Sequence, residues 1–341
     1  MRTIFIYLSL ILIISCDLSQ SQTKSIIVAF YNVENLYDTI NDPFFDDEEF
    51  LPEGNNKWNT EKYKIKLENI SKVLHDIASV NKKNCLTVVG LCEVENKEVL
   101  YDLINSNKLK SCNYGIVHYD SRYRRGVDVA LLYRKDEMVV VNSKAYPLVM
   151  PNDTSFNTRD QLLVSGIIDG ELMHFIVNHW PSRRGGEERS APLREAAAKL
   201  CRSIVDSIYK TDSSAKIIIM GDLNDDPVNK SVLVHLNAKP SKEKTKKGDL
   251  YNPMYYLFVK KGIGTLAYND KWNLFDQFIV SYPLIDSETK GYKFKKAKVF
   301  NASYLLQKEG QFAGYPFRTY IGNKFIGGYS DHFPSYIILT K

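Results

Sequence analysis

The sequence predicts an α/β protein, on three observations. Short apolar runs rich in β-branched residues recur along the chain, two amphipathic stretches of helical period lie between them, and the composition is that of an ordinary globular domain. With 44% hydrophobic and 25% charged residues among 341, collagen-like, coiled-coil and wholly disordered chains are excluded. Forty-five Lys and Arg face 40 Asp and Glu, a net charge of +5. That surplus permits an anionic partner without requiring one.

The N-terminus stands apart from the fold. Arg2, an apolar run from Ile4 to Ile14 interrupted by Tyr7 and Ser9, and then Ser15-Cys16 make a secretory signal over residues 1–16, too short to span a membrane as a mature helix. Its end, Ile13-Ile14-Ser15-Cys16, resembles a bacterial lipobox, so Cys16 is the expected lipidated terminus; the alternative is an ordinary cleaved signal that contains a Cys. Residues 17–24, rich in Ser and Gln, read as a tether, and 25–341 as one domain without an internal linker. The expected location is the bacterial cell envelope, with a membrane anchor and a monomeric enzyme lacking an obligate protein partner. Cys85, Cys92, Cys112 and Cys201 show no metal-ligand spacing, and outside the cytoplasm a disulfide among them is open in its pairing.

Strands are expected at Ile26–Tyr31, Leu86–Cys92, Val127–Tyr133, Leu172–Val177, Ile217–Met220, Phe278–Val280 and Tyr336–Leu339. One helix follows Thr60 as N-cap, with Tyr63, Leu67, Ile70, Leu74 and Ile77 on its apolar stripe. A second follows Ser190, with Pro192 in its first turn and Leu193, Ala197, Leu200, Ile204 and Ile208 inward. The run Lys242 to Lys247 reads as a solvated loop, with contact to an anionic substrate as its alternative.

Polar clusters at the strand ends carry the functional signal. They are Asn32-Val33-Glu34-Asn35, Glu93-Val94-Glu95-Asn96, Asn178-His179-Trp180-Pro181-Ser182, Gly221-Asp222-Leu223-Asn224, Asp276-Gln277 and Ser330-Asp331-His332. Singly, each suits a turn, a cap or a satisfied polar residue. Together they offer hard oxygen ligands for Mg²⁺ with hydrogen-bond donors and a base, the requirements of phosphate-ester hydrolysis.

In this order, Gly-Asp-x-Asn followed by Ser-Asp-His resembles the endonuclease/exonuclease/phosphatase superfamily, the DNase I-like fold, from about Ile26 to Tyr336. The segments around Asn32, Glu93, Arg125 to Arg134 and Asn178 to Arg183 look like its secreted or lipoprotein nuclease-like bacterial branch. The fold implied is a four-layer α/β sandwich, two packed mixed β-sheets flanked by helices. The resemblance makes Glu93 the principal metal ligand, with Glu34 standing where Asp is common and Asp331 completing the metal or water network. It makes Asp222 the base that deprotonates the attacking water and Asn224, on the same side of an extended segment, a stabiliser of charge on phosphorus. Asn32 donates to the phosphate or to Asp222, and His332 is a donor or proton relay oriented by Asp276. His179 stabilises the phosphate or protonates the leaving oxygen, with Asp128 orienting it; Arg134 on the same strand face is the alternative partner of Asp128. Arg183 and Arg184 are phosphate clamps or a solvated pair.

The function implied is a phosphodiesterase dependent on Mg²⁺, or on Mn²⁺ or Ca²⁺, acting on nucleic acid as an endonuclease with little sequence specificity. Its rivals are a phospholipid or sphingomyelin phosphodiesterase, a sugar or inositol phosphatase, and a non-catalytic surface-binding lipoprotein. Met254 to Val259 is the one small candidate for bilayer entry, with a core segment as its alternative.

Overall fold

Alternation of side chains along the first strand sets the layering. In β1 (Ser25–Leu36), Ile27, Ala29, Tyr31 and Val33 pack toward one core, and Ile26, Val28 and Phe30 toward another. A strand buried on both faces reads as a continuous apolar run, which is why it was legible. A computed structural model describes residues 24–151, 153 and 155–341. The expected signal, Cys16 and most of the tether lie outside the described residues.

The chain continues through α1 (Thr60–Ser79), β2 (Val88–Val94), α2 (Lys97–Ile104), β3 (Tyr114–His118), β4 (Asp128–Arg134), β5 (Met138–Tyr146), β6 (Gln161–Ile168), β7 (Glu171–His179) and α3 (Glu187–Thr211). Then come β8 (Lys216–Asp222), β9 (Ala238–Lys239), β10 (Leu250–Tyr251), α4 (Met254–Lys261), β11 (Leu266–Tyr268), β12 (Lys271–Asn273) and β13 (Asp276–Ser281). The last elements are β14 (Lys293–Val299), β15 (Tyr320–Ile321), β16 (Lys324–Phe325) and β17 (Ser335–Thr340).

One sheet runs β14-β17-β1-β2-β4-β3 and the other β5-β6-β7-β8-β13-β10-β9. Their facing sides share a core that includes Phe30, Val88, Leu131, Phe175, Met220 and Phe278. The sheets approach so closely that a Cβ on Gly90 would meet Met220 Sδ at 2.7 Å. Helices α1 and α2 cover the outer side of the first sheet, and α3 covers the second. This is the four-layer sandwich with mixed sheets.

The stripe Tyr63, Leu67, Ile70, Leu74 and Ile77 is buried as expected, each such side chain contributing roughly 1.5–3 kcal/mol by leaving water. The cap is Asn59 rather than Thr60, because the Asn59 side chain accepts from Lys62 N at 3.0 Å. The third helix starts at Glu187, so Ser190 is not its cap and Pro192 lies inside it. Ser190 Oγ instead donates to Gly186 O at 2.6 Å, while Arg194 donates to Glu187 O at 3.0 Å. A disulfide joins Cys85 to Cys112, closing the segment that holds α2; Cys92 and Cys201 are buried free thiols.

Parallel β1 and β2, and parallel β7 and β8, all end at one pole of the sandwich. At the other pole, Lys24 pairs through its backbone with Lys341 and through Nζ with Asp169, 2.6 Å away. The Lys242 to Lys247 loop also lies toward that far pole, with Lys242 over the Phe294 ring, so it does not line the polar cluster. Met254 to Val259 forms most of α4, with Met254 buried and Tyr256 exposed.

Candidate active site

Strand register assembles the site. His179, Asp222 and Asp276 are successive Cα partners across β7, β8 and β13, so three adjacent strands present one polar row. A Cβ on Gly221 would lie 2.3 Å from Asn178 O, so only glycine lets β8 come this close to β7 just before Asp222. The opposing sheet supplies Asn32 and Glu93, where β1 and β2 both lose register. Glu34, Asn35 and Glu93 adopt positive φ of 52°, 58° and 62°. Such bulges at strand ends re-aim side chains, and strained backbone of this kind clusters at working sites.

Asp222 is the hub. Its Oδ2 accepts from Asn32 Nδ2 at 3.0 Å and lies 3.6 Å from His179 Nε2 and 3.9 Å from His332 Nε2. Asn32 Nδ2 also reaches Glu93 Oε1 at 3.3 Å, and Asn32 Oδ1 accepts from Glu34 N at 3.0 Å. Glu93 Oε2 accepts from Asn35 N at 3.0 Å. His332 Nδ1 lies 2.7 Å from Asp276 Oδ2, the geometry that fixes a tautomer.

The two histidines are electrostatic opposites. Burial works against protonation of His332, but Asp276, Asp222 and Asp331 outweigh it and hold its pKa well above the ordinary imidazole value. Burial, joined by Arg159, His332 and Arg125, holds His179 well below it. Burial also lifts Asp222 to about 6, against the pull of His332.

Glu34 sits one step aside. Its Oε2 accepts from Thr319 N at 2.7 Å and lies 3.7 Å from Nζ of the fully buried Lys66, which donates to Thr319 Oγ1 at 2.5 Å and Tyr329 O at 2.9 Å. Burial, then the nearby Asp331, raises Glu34 to about 7. Asp331, with its side chain 34% exposed, lies 4.0 Å from His332 Nε2.

Four sequence expectations fail here. Asn224 is not in an extended segment: it has φ 49°, its N–H bonds Asp222 Oδ1 at 2.9 Å, and Nδ2 donates to Trp180 O at 3.0 Å. The β8 strand stops at Asp222, and an Asx turn follows. Asp128 does not orient His179. It accepts from Ser121 N at 2.9 Å, while the carboxylates within 4.0 Å of His179 are Glu93 and Asp222, and His179 Nδ1 makes no hydrogen bond. Nor does Arg134 pair with Asp128; it binds Asp136 and Glu137. Arg183 is no free clamp, being held by Glu187, Asp225 and Asp226.

Sequence reasoning gave no role to Arg125, the first residue of the Arg125 to Arg134 segment, and passed over Arg159 and Lys66. Arg159 is 6% exposed, stacks 4.6 Å from the Tyr123 ring centroid and donates to Trp180 O, while its Nε is buried without a partner. Arg125 donates to Asn35 Oδ1 at 2.5 Å. Among the described residues neither guanidinium has a carboxylate within 4.0 Å. Only Lys66 left a signal, as a charge flanked by Tyr63, Leu67 and Ile70 on the buried stripe.

The carboxylates of Glu34, Glu93, Asp222, Asp276 and Asp331 face few cations, which leaves the cleft in surplus negative charge. Glu93, half-buried and held only by neutral donors, suits a divalent cation by its chemistry. One oxygen each of Asp222 and Asp276 and a nitrogen of His332 also lie within 4.8 Å of one another.

A family model described as "Endonuclease/Exonuclease/phosphatase family" matches residues 27–341. No curated protein sequence matches the chain. Among solved structures, an endonuclease/exonuclease/phosphatase family protein from Bacteroides thetaiotaomicron is 16% identical, with TM-score 0.56 over 94% of this chain and 96% of that one. A mannosyl-6-phosphatase of the same organism is 16% identical, with TM-score 0.55 over 92% and 99%. The D. rerio TDP2 complexed with single strand DNA product is 14% identical, with TM-score 0.54 over 93% and 99%. At these identities the likeness is one of fold.

Proposed function

The chain belongs to the endonuclease/exonuclease/phosphatase family, and on that premise we propose that it is a divalent-metal-dependent phosphodiester hydrolase, an exported endonuclease that cuts nucleic acid with little sequence specificity. The observation that carries the chemistry is Asp222, buried between two histidines of opposite charge state and held by Asn32. A carboxylate lifted to about 6 is a competent base near neutrality and takes the proton of a water aimed at phosphorus. His332, cationic and fixed by Asp276, donates to the phosphate oxygens; His179, neutral, adds a hydrogen bond at Nε2. Asn224 has one amide proton engaged by Trp180 O and offers the other.

Glu93 would hold the metal, with Asp331 and Glu34, whose charges act on each other, as the further carboxylates of the site. The chemistry such an ion supplies is polarisation of a phosphoryl oxygen. Oxygen donors favour Mg²⁺, with Mn²⁺ and Ca²⁺ as substitutes. Arg125 and Arg159, without carboxylate partners, support a polyanionic substrate, and such binding weakens with salt. The Cys85–Cys112 disulfide supports export, since disulfides persist in oxidising compartments. Anchoring through Cys16 and a bacterial envelope location belong to the same proposal.

The test is hydrolysis of supercoiled plasmid, single-stranded RNA, sphingomyelin and a sugar phosphate by the purified protein, with Mg²⁺ and with EDTA. Plasmid nicking that needs Mg²⁺ and falls about 10³-fold or more in Asp222→Asn is expected. Turnover confined to sphingomyelin or the sugar phosphate overturns the substrate; a full rate in Asp222→Asn overturns the site.

A further inference from the structure

We propose that His118, Asp120 and Asp128 form a second cation site, separate from Glu93 and Asp222, for a divalent ion of the zinc class. His118 ends β3 and Asp128 opens β4, and one ligand atom from each of the three residues lies within 4.8 Å of the others. The His118 side chain is only 3% exposed, yet neither ring nitrogen makes a hydrogen bond: Nε2 is buried without a partner, and Nδ1 lies 3.7 Å from Asp120 Oδ1. Asp128, 2% exposed, accepts from Ser121 N through Oδ2, which leaves Oδ1 buried and unpartnered.

Buried polar atoms in folded proteins are almost always satisfied, so two orphans on facing strand ends call for a common partner. A cation held by the His118 ring and the Asp128 carboxylate would give this buried pair the partner it lacks. One imidazole nitrogen with two carboxylate oxygens suits zinc and its first-row neighbours better than Mg²⁺, which favours oxygen alone. Asp120, with its side chain 72% exposed, gives the ion a solvent-side ligand and a way in. The ion would clamp the ends of β3 and β4 and so brace residues 119–127, which carry Tyr123 beneath Arg159 and Arg125 onto Asn35.

Equilibrium dialysis of the full chain against Zn²⁺, with millimolar Mg²⁺ throughout, reads the site directly. The wild type is expected to retain one zinc that His118→Ala loses and Glu93→Gln keeps. Asp120→Asn, at an exposed position and with the fold checked by circular dichroism, should weaken retention at least 10-fold. Equal zinc retention in the wild type and Asp120→Asn, no retention by the wild type, or loss in Glu93→Gln with retention in His118→Ala each overturns the site.

Discussion

His332 and His179 are the same side chain in opposite states, and the difference comes from what surrounds each ring. Asp276, Asp222 and Asp331 outweigh burial at His332, whereas burial, joined by Arg159, His332 and Arg125, opposes protonation of His179. Because Asp276 helps to hold His332 protonated, its active form persists to higher pH than a free imidazole's. In Asp276→Asn the His332 pKa falls, so the alkaline limb of the pH–rate profile should move to lower pH, with a rate loss of about 10²-fold or more. An unmoved alkaline limb would remove Asp276 from the orienting role. The residues at these strand ends were legible because each adjoins an apolar run, Asn32, Glu93, His179 and Asp222 at its end and Asp276 and His332 ahead of it. Arg125 and Arg159 were not: Arg125 opens a recognised segment without a role of its own, Arg159 adjoins no cluster, and only tertiary packing brings them to the cleft. Asp128 shows the limit of the same logic: position at a strand end tells which pole a residue occupies, not which neighbour it meets.

The seven strands expected from sequence are all present and lie inside their sheets, where both faces are covered or one is strictly apolar. Of those passed over, β6 is internal and buried like the ones found, whereas β3, β5 and β14 are sheet edges. The β14 sequence Lys-Phe-Lys-Lys-Ala-Lys-Val is a lysine-rich edge, and β5 is the opposite sheet's edge with Val139 and Val141 exposed. Edge strands carry charge and irregularity that hide their period. The β7–β8 junction gives a sharp test. Gly221→Ala forces the strands apart beside Asp222, so activity should drop at least 10-fold while a folded protein remains by circular dichroism. Full activity would show that the junction tolerates the shift. The Cys85–Cys112 pair spans 27 residues, and Cys85→Ser should cost about 3 kcal/mol in denaturant unfolding. An unchanged midpoint would assign the bridge no role in stability.

At the scale of the whole molecule, the cleft exists only while both sheets face each other: one brings Asn32 and Glu93, the other His179, Asp222 and Asp276. The carboxylates that make it useful also repel, so function and stability oppose one another here. Glu93→Gln should therefore raise the melting temperature of the metal-free protein by a few degrees, roughly 1 kcal/mol, and abolish the further rise that Mg²⁺ gives the wild type. A fall in the metal-free variant would contradict this account of the cleft.

The first strand also fixes an orientation. From Lys24 at one pole to Asn32 at the other, an extended chain covers roughly 26 Å. The chain therefore enters the described fold at the back of the molecule, with the cleft at the opposite end, like the jaw of a tool gripped by its handle. Anchored through Cys16 as proposed, the protein would meet what drifts in from the surrounding fluid, and the surface holding it would lie behind its reach.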